Sequence, residues 1–207
     1  MSDPSFALYQ RLPGLVLGFH GCDALVGEGL LNGEITHLAA SKNKYDWLGN
    51  GIYFWENDPL RALEFAKEAH AKAPNAKGYV GNPFVIGAVI DLGFCLNLLD
   101  RTALAELAEA HKTLEAAAES SKEEMPVNKG KNFGARFLDR AVIELLHAYR
   151  AQLNQVGADF APYESVRGAF FEGGDLYTGA GFQAKSHIQI AVRENSCIKG
   201  YFRPITT

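Results

Sequence analysis

Helix-forming sequence fills the middle of this chain, residues 101–154, and everything with strand character lies on either side of it. Residues 101–119 are rich in Ala, Leu, Glu and Lys, which favour helix. After the polar break "SSKEEMPVNKGKN" (120–132), residues 135–154 place Leu138, Ala141, Val142, Leu145, Leu146 and Tyr149 on one helical stripe, with Gly157 near the stop. A helical hairpin flanked by strands rules out regular βαβ alternation. The pattern predicts an α+β fold, with 101–154 as an insertion in a single domain spanning 1–207.

The strand-like segments are short. "GLVLGFHG" (14–21) reads as a buried strand and "GIYFW" (51–55) as a second. "PFVIGAVIDLG" (83–93) is near-continuously apolar, as in a strand covered on both faces. After the insertion come "SVRGAFFEGG" (165–174), "SHIQIAVREN" (186–195) and "CIKGYFRP" (197–204). In the second of these, Ile188, Ile190 and Val192 alternate with His187, Gln189 and Ala191, which assigns the two sets to opposite faces. "DALVGEGLLNG" (23–33) predicts a short helix, and the polar stretch 35–51 a loop passing over something. Asp58 and Pro59 are a helix cap and first residue, with Leu60, Leu63 and Ala66 as the expected buried stripe. The glycine-rich run 172–185 is a loop.

Charge and composition narrow the function classes. A formal net charge of −4 gives no global attraction to nucleic acid or anionic membranes; the run 128–136 is a small basic patch. Three cysteines without CxxC spacing, and six scattered histidines, point away from a disulfide scaffold and a metal site and fit a reducing cytoplasm. No apolar run reaches the roughly 18 residues of a membrane span, and the N-terminus lacks a basic-then-apolar leader.

No GxSxG elbow, Walker loop or GxGxxG fingerprint occurs. Two small motifs remain. "FHGC" sets His20 beside Gly21 at the end of an apolar run, and "GNGIYFW" sets Tyr53 in a glycine-flanked strand. Read alone, His20 is a satisfied core histidine and Tyr53 core aromatic packing. Their order along the chain gives them a second reading: a His-Gly strand, a loop, a Gly-x-Tyr-Phe strand, a capped helix, an apolar strand, an insertion, a glycine-rich loop and an alternating strand.

That order resembles the H-Y-E class of ADP-ribosyltransferases, the group of the poly(ADP-ribose) polymerases and diphtheria-type toxins. The resemblance rests on "FHG", "LGNGIYF", "ENDPLRALEFA", "VIGAVIDLGFCLNLLD" and "GGDLYTGAGFQAKSHIQIAV", and leaves out 101–154. It implies a split, mostly antiparallel β-sheet core and NAD as co-substrate. ADP-ribose would pass to a macromolecular acceptor, protein or nucleic acid, as in an effector, toxin or defence enzyme. His20 would hold the adenosine-side ribose and Gly21 would pair its backbone with the carboxamide. Tyr53 would stack on the nicotinamide, and Phe65 would cover the second face. The family's final strand carries a glutamate where this chain has Gln189. An amide carbonyl accepts a hydrogen bond from a hydroxyl but supplies neither charge nor a general base. Glu172, at the head of the glycine-rich loop, is the candidate to supply the missing carboxylate, ahead of Glu194. The departure favours a single transfer over polymer growth and keeps NAD hydrolysis and inactive NAD or ADP-ribose binding as alternatives. Oligomeric state is not legible in the sequence.

Overall fold

The computed structural model describes residues 14–130, 134–157 and 160–205. The expected absence of a leader and the centre of the basic run 128–136 lie outside these described residues.

Seven strands form one sheet: β1 (Leu15–Asp23), β2 (Ile52–Glu56), β3 (Pro83–Asp91), β4 (Cys95–Asn97), β5 (Ser165–Phe170), β6 (His187–Val192) and β7 (Ile198–Phe202). Their order is β4-β5-β6-β2-β1-β3-β7. Every pairing is antiparallel except β4 with β5. Among the described residues the α-helices are α1 (Ala24–Leu31), α2 (Pro59–His70), α3 (Arg101–Ser121) and α4 (Phe137–Gln155). The α+β class is as the sequence implies. The expected pair of sheets is instead a single one, because β1 and β2 still share the rungs Gly18↔Glu56 and Phe19↔Trp55. None of the described helices is long and apolar enough to cross a membrane.

Alternation divides the side chains cleanly. One face of the sheet carries Ile52, Phe54, Ile86, Ala88, Ile90, Ile190 and Val192, packed with Leu30 of α1 and Leu38. The other face has two separate covers. At one end α2 lays Ala62 on Phe19 and Trp55. At the other end the α3–α4 hairpin packs Ala103, Ala110, Val142, Ile143 and Leu146 on Val166, Ala191 and Leu48. The seam between these covers runs over Trp55, Gln189 and His187.

Two expected helical stripes are met in part, at Ala66, Val142 and Leu146, with each buried face turned. In α2 the buried residues are Arg61, Ala62, Ala66 and Ala69, while Leu60 is exposed. Small side chains win because the helix lies almost on the strand: a Cβ at Gly21 would sit 2.1 Å from the Ala62 carbonyl oxygen. In α4 the buried set is Val142, Ile143, Leu146, His147 and Arg150, with Tyr149 exposed. Arg150 is accommodated there by bonds to Glu106 and the Ala161 carbonyl, and by cation–π contact with Tyr163. The first strand is longer than expected and its start is exposed at Leu15 and Leu17. The short β4 has no periodicity of its own.

Asp23 ends β1 and caps α1. One carboxylate oxygen accepts from Leu25 N–H at 3.0 Å, and the other from Gly81 and Asn82 N–H at 2.7 and 3.0 Å. These backbone bonds hold its carboxyl below the ordinary value. Asp23→Ala is expected to lower unfolding free energy by about 1–2 kcal/mol in urea denaturation at neutral pH. A depressed folded pKa contributes stability above the unfolded value of about 4 and loses it as pH falls through the folded one, so the difference between the two proteins should shrink in acid.

Candidate active site

β2 is the fourth strand of seven and brings the two sequence motifs together. Beyond the rung Phe19↔Trp55 the β1–β2 ladder stops, and the His20 imidazole spans the gap. Its Nδ1 lies 2.7 Å from the Tyr53 carbonyl oxygen. A carbonyl only accepts, so Nδ1 carries the hydrogen and Nε2 is the lone-pair nitrogen. Burial holds the imidazole below its ordinary pKa, against the smaller opposing effect of the Tyr53 carbonyl. At neutral pH His20 is therefore an uncharged acceptor at Nε2. It lies on the sheet face with Phe54, their ring centroids 6.0 Å apart.

Tyr53 and Gln189 occupy the opposite face. Tyr53 pairs with Ala191 and Trp55 with Gln189, so the phenol and the amide are diagonal neighbours, about 7–8 Å apart at Cα. The Tyr53 hydroxyl donates to the Gly49 carbonyl at 2.8 Å and accepts from Leu48 N–H at 3.0 Å. Burial pushes the phenol's pKa up, so it stays a neutral donor. The "GNG" turn is thus a clamp on the phenol. The clamp is itself gripped by the insertion: Glu144 of α4 accepts from Asn50 N–H at 2.7 Å and Asn50 Nδ2 at 2.8 Å. Arg193 donates to Glu144 and to the Asn50 carbonyl, and Arg140 to Asn50 Oδ1. Burial works to raise the Glu144 carboxyl, but Arg193 and the Asn50 amide outweigh it and hold the carboxyl low.

Gly21 lies just past the last β1–β2 rung, and the group that approaches it closely is the backbone of α2. Phe65 packs on Trp55, ring centroids 5.1 Å apart, rather than over the Tyr53 ring. Gln189 Oε1 accepts from the Trp47 indole at 2.6 Å. Glu172 Oε1 accepts from Arg61 Nε and Nη2 at 2.9 and 2.8 Å. Glu194 is exposed and bonds through its backbone to Glu164, away from this seam. The structure brings His20, Tyr53 and Gln189 onto adjacent strands, with the imidazole on one face and the phenol and amide on the other. Glu172 lies two residues beyond the β5 end, where Phe170 pairs with His187.

Sequence reasoning missed most of the aromatic seam. Trp55 is only 4% exposed, with the Arg61 guanidinium 5.5 Å over its ring and His187 6.1 Å away. His187 donates from Nδ1 to the Lys185 carbonyl at 2.8 Å, and its pKa is lowered by burial. Its Nε2 and the Trp55 Nε1 are both buried without a partner among the described residues. Phe170 and Trp47 continue the row. The signal available was the face shared with Tyr53 at a spacing of two residues. No family model, curated protein or solved structure matches this chain.

Cutting the clamp should be measurable. Tyr53→Phe removes two hydrogen bonds and is expected to cost about 1–2 kcal/mol in urea unfolding. Glu144→Ala strips the partner from Asn50 and Arg193 and is expected to cost about 2–3 kcal/mol.

Proposed function

We propose that this chain is an NAD-dependent mono-ADP-ribosyltransferase that passes one ADP-ribose to a macromolecular acceptor. The observation that carries this reading is the bond from His20 Nδ1 to the Tyr53 carbonyl. It joins two of the motifs on which the family resemblance rests and leaves a neutral imidazole lone pair at the parting of β1 and β2. Such a nitrogen accepts a hydrogen bond from a ribose hydroxyl. In this reading Gly21 offers backbone groups to the carboxamide, Tyr53 is the flat surface of the clamp, and the seam supplies aromatic walls for the nicotinamide. Breaking the nicotinamide–ribose bond develops positive charge on the ribose, so fixed polar groups around that sugar act on the transition state.

Two observations favour a second reading, a module that binds NAD or ADP-ribose without turnover. Gln189 carries no charge and its carbonyl is occupied by Trp47. Glu172 is matched by Arg61, one of its oxygens taking both guanidinium bonds.

Incubation with NAD labelled in the adenylate and in the nicotinamide separates these readings. Transfer releases nicotinamide and leaves adenylate label on macromolecules of a lysate; hydrolysis releases nicotinamide alone; a binder shows saturable NAD uptake and no release. His20→Ala and Tyr53→Ala are expected to reduce release at least tenfold, because each removes a group on the sugar or the ring. No uptake and no release by the unsubstituted protein would end the proposal. NAD affinity should be flat above the ordinary imidazole pKa of 6.5 and fall only below it, since a protonated Nε2 no longer accepts.

A further inference from the structure

Leu48 and Gly49 hold the Tyr53 hydroxyl, but Trp47, the residue just before them, touches a different group. Trp47 donates its indole N–H to Gln189 Oε1 at 2.6 Å. An indole nitrogen only donates, and the sole side-chain acceptor of glutamine is its carbonyl oxygen. The rotation of the amide is thereby fixed: Oε1 faces Trp47, and the NH2 group is the end left over. Among the described residues that NH2 makes no protein hydrogen bond.

Trp47 is held in place before any ligand arrives. Its ring lies over Gly168, the residue paired with Gln189 across the β5–β6 ladder. A Cβ at Gly168 would come within 2.7 and 3.0 Å of that ring, so only glycine leaves room for the indole. Phe170 closes one side, ring centroids 5.1 Å apart. On the other side Leu48 and Gly49 are pinned to the Tyr53 hydroxyl, and Asn50 to Glu144. Trp47, Gly168 and Gln189 therefore form one preset unit.

We infer that Trp47 is a positioning residue that turns the Gln189 amide so that the site meets its ligand with an N–H donor, selecting an oxygen lone pair at that point. This rests on the NAD reading above and reverses one expectation attached to it: the sequence alone suggested that the Gln189 carbonyl would accept a hydrogen bond from a hydroxyl. With the carbonyl committed to Trp47, the group recognised is an acceptor oxygen, a ribose hydroxyl taken through its lone pair. Replacing Gln189 with Glu removes that donor; one carboxylate oxygen still takes the Trp47 N–H and the other can only accept.

The test has two arms. The first needs no ligand. In 1H–15N spectra the Trp47 indole signal is assigned by its loss in Trp47→Phe, and the Gln189 NH2 pair by its loss in Gln189→Leu. The indole proton is expected to exchange about tenfold faster in Gln189→Leu, and the NH2 pair to shift in Trp47→Phe, which keeps an aromatic ring in place. An indole signal indifferent to Gln189→Leu overturns the inference. The second arm is calorimetric titration with NAD across the cycle of the two single variants and the double variant. Trp47→Phe is expected to weaken NAD roughly three- to tenfold in the unsubstituted protein and to add nothing once Gln189 is Leu. An equal loss in both backgrounds shows that Trp47 does not act through Gln189 and overturns the inference. If the unsubstituted protein takes up no NAD, the proposed function fails, and the first arm alone still decides the orientation of the amide.

Discussion

Two backbone rungs, Gly18↔Glu56 and Phe19↔Trp55, join β1 to β2, and the His20 imidazole takes over where they stop. That handover governs much of the rest. A ring set where two strands part must satisfy its N–H, and it does so by donating to the Tyr53 carbonyl. The bond fixes the tautomer, and burial keeps the ring uncharged. It also ties β1 to the strand that carries Tyr53 one residue past the last rung, and Gly21, next along β1, meets α2. The close approach at Gly21 in turn accounts for a helix whose buried face is alanine rather than leucine.

The helical insertion does more than cover one end of the sheet. Through Glu144 it holds Asn50, and through Asn50 the turn whose carbonyl and amide hold the Tyr53 hydroxyl. Three donors, the Asn50 N–H, the Asn50 Nδ2 and the Arg193 guanidinium, converge on that one carboxylate, which offsets the cost of burying it. The same loop carries Trp47 to Gln189. One segment of the chain, residues 47–50, therefore fixes the phenol, the amide and the insertion together. α2 and the α3–α4 hairpin leave a seam between them, and it is filled with rings and with polar atoms that lack partners among the described residues.

Much of the fold could be read from local chemistry. Asp58 and Pro59 open α2 as their backbone preferences require, and the alternation in β6 sends Ile190 and Val192 to one face and Ala191 to the other. The motif residues His20 and Tyr53 sit on neighbouring strands as their order suggested. What failed depended on long-range contact. The stripes of α2 and α4 turned because a glycine on β1 admits a helix backbone and because Arg150 finds aromatic faces. The single sheet depends on two rungs that no local pattern announces. Trp47 read as a loop residue, and only the fold reveals that Gly168 leaves room for its ring. Gln189 was correctly placed on its strand, but which end of its amide is free depends on a partner 142 positions away in the chain.

The central claim is that His20, Tyr53 and Gln189 converge on one dinucleotide. A crystal structure of the protein grown with NAD tests it most directly. The account expects a ribose hydroxyl donating to His20 Nε2 where β1 and β2 part, with the Gln189 NH2 on an oxygen of the same ligand. NAD bound elsewhere, with the His20 nitrogen and the Gln189 amide untouched, would contradict it.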